Sequence, residues 1–172
     1  TSYSHPWLRF MMDVDVLVPD DQALVALDVL QQAGFENELY QSMGMQLREA
    51  EDHRKLIHHF ILFSGARDMR VELHYDLAIR RESRLSLAIL DWFWQHSHVV
   101  ETQIGELRVP TPESGLLLVA MHDFAQHQRP NVSDGFKLYR KYDMSLVMNQ
   151  RGLNWDLLFR QARSEERRVG KE

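Results

Sequence analysis

The chain has no cysteine, only five prolines and eight glycines, and no apolar run long enough to cross a bilayer. Without cysteine there is no disulfide scaffold, no thiol nucleophile and no zinc–thiolate site. A spanning helix needs about 20 consecutive apolar residues, so no membrane partner is expected. Positive charge is also short. Against 20 Lys+Arg stand 25 Asp+Glu, a net charge of −5, which argues against general nucleic-acid binding. The remainder is ordinary: 44% hydrophobic and 26% charged residues over 172 positions. That composition suits one compact body, or a body with a small subdomain, and excludes disorder and collagen.

Both ends stand apart from the rest. The chain opens at Thr1 with Asp13 already inside a strand-like run, so the expectation is a chain lacking its native N-terminus. At the other end, Arg163-Ser-Glu-Glu-Arg-Arg-Val-Gly-Lys-Glu172 departs from the apolar periodicity before it. It resembles the in-frame translation of a sequencing-adapter oligonucleotide. Residues 163–172 are therefore set aside as a non-native tail, a charged helix end being the other reading.

Met11-Met-Asp-Val-Asp-Val-Leu-Val18 reads as a strand, with Asp13 and Asp15 on one face and Val14, Val16 and Val18 on the other. Pro19 stops it. A helix capped by Asp20 or Asp21 then carries Leu24, Val25, Leu27, Leu30 and Ala33 at helical spacing, and Gly34 closes it. Residues 36–56 are polar, with one short strand expected near Met45-Gln-Leu47. Leu56–Phe63 and Met69–Tyr75 read as two strands of a hairpin joined by Ser64-Gly-Ala-Arg-Asp68. From residue 83 the period becomes helical. Leu85–His98 is expected as one helix, Gln103–Val109 as a short extended segment turning at Gly105, and helices follow at 113–127, at 135–149 and from Trp155. The fold class is α+β: a small mixed sheet over residues 1–82, then a helical subdomain over 83–162.

The acids carry the chemistry. Two carboxylates separated by one apolar residue on a strand lie on one side, about 7 Å apart along the backbone. Such a pair repels unless a cation or an arginine neutralises it. A solvated strand face would also account for Asp13 and Asp15, although aspartate is disfavoured in strands. Glu72, flanked by Val71 and Leu73 on another strand, is a third acid in the same setting; pairing with Arg67 or Arg70 would be its purely structural role. Three acids on one sheet face suit one or two Mg²⁺ ions held against a nucleotide's phosphates.

These segments resemble a family. Arg9-Phe-Met-Met-Asp13-Val-Asp15-Val-Leu-Val18, the helix ending Ala33-Gly-Phe35, and Val71-Glu-Leu-His-Tyr-Asp-Leu77 are similar to the uncharacterised nucleotidyltransferase family of the polymerase-β-type superfamily. Leu90-Asp-Trp-Phe-Trp94, Pro112–His122 with His127, Lys137–Asp143, and Asn154-Trp155 follow in the family's order, so the resemblance spans roughly residues 3–162.

The resemblance implies that Asp13, Asp15 and Glu72 are the catalytic, metal-binding acids. It also implies that two Mg²⁺ ions bridge them to an NTP, and that an NMP group passes to an acceptor the sequence does not identify. Arg9 matches an arginine just before the Asp pair and is expected to contact phosphate or a carboxylate, or to support the strand. The superfamily's Gly-Ser turn, whose backbone N–H groups hold the triphosphate, has no counterpart upstream of Asp13. The chain as given is therefore expected to bind NTP poorly. NTP chemistry implies a cytoplasmic protein.

Among the histidines, His74 shares a strand face with Glu72 and is expected to orient it or bind substrate. His58 and His59 are adjacent and lie on opposite faces. His122 and His127 stand about 140° apart around a helix and form no ligand pair. Trp92, Phe93 and Trp94 read as core. Two other functions fit the same residues: a non-catalytic or antitoxin-like binding module on this fold, and a metal-dependent phosphoester hydrolase using the acids with His74.

Overall fold

The computed structural model describes residues 11, 13–37, 59–77, 87–127, 134–149 and 152–169. Arg9, His58 and the strand expected at Met45–Leu47 lie outside them. The described residues fall into two compact units, 11–77 and 87–169.

The first unit begins with strand β1, Val14–Leu17, and a 3-10 turn at Asp20–Gln22 leading into helix α1, Ala23–Gln32. Strands β2 (Glu36–Asn37), β3 (His59–Ser64) and β4 (Met69–His74) complete a four-stranded mixed sheet in the order β1-β4-β3-β2. Strand β1 runs parallel to β4, and the other pairings are antiparallel. The strand alternation separates two faces. On one, Phe60, Leu62, Val71, Leu73 and Tyr75 are buried with Ala23, Leu27 and Phe35, and Val18, Leu24, Ala26 and Leu30 pack against them. Helix α1 thus covers one face of the sheet. Val25, expected in the helix's apolar stripe, is exposed instead; it lies about 200° around the helix from Ala23, on the far side from the sheet.

The end of α1 is closed by a Schellman motif. Gly34, at φ +85°, sits where a side chain would be strained. The Gly34 N–H donates to the Gln31 carbonyl at 2.9 Å, and Phe35 N–H to that of Leu30 at 3.0 Å. Arg67, in the β3–β4 turn, donates to the Ala33 carbonyl at 2.7 Å and lies 5.5 Å over the Phe35 ring. The guanidinium therefore serves the helix C-terminus, favourably placed against its dipole, and the turn is tied to α1.

The second unit opens with helix α2, Leu87–Gln95. It is shorter than the sequence pattern suggests, because Ser97–Thr102 leaves the helix as strand β5 and pairs with β6, Gly105–Pro110. The β-branched Val99, Val100 and Thr102 favour this, and Gly105 at φ +117° permits the tight turn. Helices α3 (Pro112–His127), α4 (Asp134–Met148) and α5 (Trp155–Val169) follow. The last runs into the 163–172 segment as far as Val169.

Thr111 caps α3: its Oγ1 accepts from Ser114 N–H at 3.3 Å, with Pro112 at the first helical position. The Glu113 carboxylate accepts from Asn154 N–H at 2.8 Å, which holds it below the usual carboxylate range, and Asn154 Oδ1 caps α5 through Leu157 N–H at 3.0 Å. Ile89, Trp92, Phe93, Leu116 and Leu158 are buried; of the aromatic cluster expected in the core, Trp94 is half-buried instead. Among the described residues no helix is long and apolar enough to cross a membrane.

Leu62 is fully buried at the centre of the first unit. Leu62→Ala is expected to lower unfolding free energy by about 2–5 kcal/mol, and Thr111→Ala by about 1 kcal/mol through loss of the cap. Denaturant midpoints of the two variants check both values.

Candidate functional site

The sheet face opposite α1 carries the polar residues. The parallel register sets Asp15 beside Glu72 and Leu17 beside His74. The antiparallel register on the other side of β4 sets Ile61 beside Glu72 and His59 beside His74. Four chemistry-bearing side chains from three neighbouring strands therefore share one face: Asp15, Glu72, His74 and His59.

Their contacts centre on His74. Its Nε2 lies 3.0 Å from Asp15 Oδ1 and 3.6 Å from Glu72 Oε2. His59 Nε2 lies 3.9 Å from the same Glu72 oxygen, and the two imidazole rings are 4.9 Å apart at a tilt of 32°. Exposure is graded across the group. The Asp15 side chain is 60% exposed, whereas those of His59, Glu72 and His74 are 17%, 15% and 9% exposed. One acid thus reaches into solvent, and the other sits in a half-dry setting between two imidazoles.

The electrostatics follow from that placement. Burial alone pushes the His74 imidazole toward its neutral form, but its hydrogen bond to Asp15 and its contact with Glu72 outweigh this and raise it to about 9. Glu72 is held below its ordinary value, first by the His74 contact. Burial and the Asp15 charge oppose that shift, and His59 adds to it. Without a bound cation, His74 as imidazolium neutralises two acids that would otherwise repel.

The sequence-predicted residues divide as follows. Asp15, Glu72 and His74 are brought into one group. Asp13 stands half-buried two residues before Asp15, ahead of β1. Arg9 lies outside the described residues. Of the structural roles expected for Glu72, pairing with Arg67 does not account for it, since Arg67 is occupied at the end of α1, and Glu72 is largely buried. His59 was missed, although a signal existed. With the turn at residues 65–68, the position five before Ser64 meets the position five after Met69, which pairs His59 with His74.

Two donor sets are available for a cation. Asp15 and Glu72, with Asp13 nearby in the chain, offer hard carboxylate oxygens of the kind Mg²⁺ takes. His59, Glu72 and His74 offer two imidazole nitrogens and one oxygen, all within 4.8 Å of one another. Carboxylates and imidazoles on one accessible face fit a divalent metal.

In metal-free protein, the His74 imidazole is expected to titrate near 9 by NMR, and Asp15→Asn should move that midpoint down. The folded value lies above the ordinary 6.5, so this group's stabilisation is full below about pH 6.5 and is lost as pH rises through about 9. Glu72 contributes above its ordinary 4.5 and loses that contribution as pH falls through its lower folded value. Unfolding free energy measured from pH 4 to 10 should therefore decline across the alkaline limb in the wild type, and decline less in His74→Gln.

No curated protein and no solved structure matches the chain. Its residues 1–168, nearly the whole length, match the family described as Uncharacterised nucleotidyltransferase. With a mixed sheet that gathers acids on one face and a match across that span, the chain belongs to this uncharacterised nucleotidyltransferase family.

Proposed function

We propose that the protein transfers an NMP group from an NTP to an acceptor, with Asp13, Asp15 and Glu72 as the acids that hold divalent cations, Mg²⁺ in the first instance and two of them. The observation that carries this reading is the pairing of Asp15 beside Glu72 on parallel strands, in a chain of a nucleotidyltransferase family. The balance of the reaction needs no nucleophilic side chain. An acceptor hydroxyl loses its proton to solvent as its oxygen attacks the α-phosphorus, the bond from that phosphorus to the oxygen bridging to the β-phosphorus breaks, and pyrophosphate leaves. Bound divalent cations supply neutralisation of the triphosphate and activation of the acceptor hydroxyl.

The chain's own residues do the rest. Glu72, held ionised beside His74, presents a carboxylate at neutral pH from a rigid strand. Asp15, more exposed, faces the side from which a nucleotide approaches. His74 keeps both carboxylates in place, its Nε2 facing Asp15 and Glu72, and is assigned with Arg9 to the substrate side of the site. Arg9, a few residues before Asp13, is assigned to phosphate. A reaction that draws on NTP assigns the protein to the cytoplasm.

The test is Mg²⁺-dependent NTP binding and transfer by the protein. Asp13→Asn with Asp15→Asn is expected to lose Mg²⁺-dependent affinity by at least the roughly 10–100-fold that even outer-shell partners of a metal are worth. Unchanged binding in the double variant would remove those two residues from the role. Release of product from a phosphoester without any acceptor would favour hydrolysis, and NTP binding without turnover would favour a binding module.

A further inference from the structure

His59 has no part in the transfer reading, yet its Nε2 is aimed at the Glu72 oxygen that His74 Nε2 also faces, at 3.9 and 3.6 Å. The first of these separations is too long for a hydrogen bond. It is close to the spacing of ligands around an ion, since two nitrogens at about 2.0–2.1 Å from a tetrahedral centre lie about 3.4 Å apart. All three ligand atoms already lie within 4.8 Å of one another, so each has to move by less than about 1 Å to close on an ion of that size. The side chains stand on the facing strands β3 and β4, with His59 directly opposite His74, and all three are at most 17% exposed.

The geometry points to a binding site for a divalent transition-metal ion of the zinc or cobalt class, held by His59, Glu72 and His74. Imidazole nitrogens select such ions over Mg²⁺, which prefers oxygen alone. Three protein ligands leave a further position open to water or to a phosphate oxygen, the arrangement of catalytic rather than structural zinc. The site also bears on Asp15. Its Oδ1 and the ion address the same nitrogen of His74, so occupation by the ion releases Asp15 from that contact. The inference rests on the transferase reading only in sharing Glu72.

The experiment is titration of the full chain with Zn²⁺ by calorimetry, and with Co²⁺ by visible absorption, each against Mg²⁺. Zn²⁺ is expected to bind at least about 100-fold more tightly than Mg²⁺. Co²⁺ should develop visible bands of a low-coordinate nitrogen-ligated ion. His59→Gln should weaken Zn²⁺ by about tenfold or more, with the thermal unfolding midpoint measured without metal as the check on folding. His59→Asn provides a second variant if the first is unstable. Zn²⁺ affinity within tenfold of Mg²⁺, or unchanged in folded His59→Gln or His59→Asn, overturns the site. Loss of transfer in Asp13→Asn with Asp15→Asn tests the transferase reading separately, so the two fail independently.

Discussion

Two carboxylates on neighbouring parallel strands repel, and the polar face of this sheet is organised around that repulsion. Asp15 and Glu72 stand side by side because β1 joins β4 in parallel register. Their charges are reconciled by His74, whose Nε2 reaches both. Moving any of these residues by one position would turn it to the opposite, apolar face, since side chains alternate along a strand. Register is therefore the constraint on which the site depends.

The apolar face holds that register in place. Phe60, Leu62, Val71 and Leu73 alternate with His59, Ile61, Glu72 and His74 of the opposite face, and their burial against α1 leaves the strands little freedom to slip. The closure of α1 by Gly34 and the hold of Arg67 on the Ala33 carbonyl connect the helix end to the β3–β4 turn. Packing on one face thus positions charge on the other. Glu72 is a largely buried acid that stays ionised because imidazoles flank it.

The second unit relies on different devices. Its aromatic helix, its short hairpin and its caps at Thr111 and Asn154 are local features, joined by the Glu113 contact to the start of α5. Among the described residues, the group of His and Glu side chains spaced for a metal ion lies on the sheet of the first unit.

Much of this was legible in the chain. The strand that carries Asp15, the helix closed by Gly34, the hairpin of β3 and β4 and the α+β order follow from local patterns. Local sterics and periodicity govern such features. The strand at Ser97–Thr102 was not read from the sequence, because an apolar helical run leads straight into it; its β-branched residues favour the extended form that pairing with β6 completes.

For the site, the sequence by itself determined which residues are acids between apolar neighbours, and which strand face each occupies. What came only from tertiary structure is that β1 lies beside β4, which brings Asp15 within reach of His74; His59 opposite His74 follows from the hairpin register alone. Strand order depends on long-range burial against α1 and on which backbone edges find partners, and no local pattern in the chain encodes either.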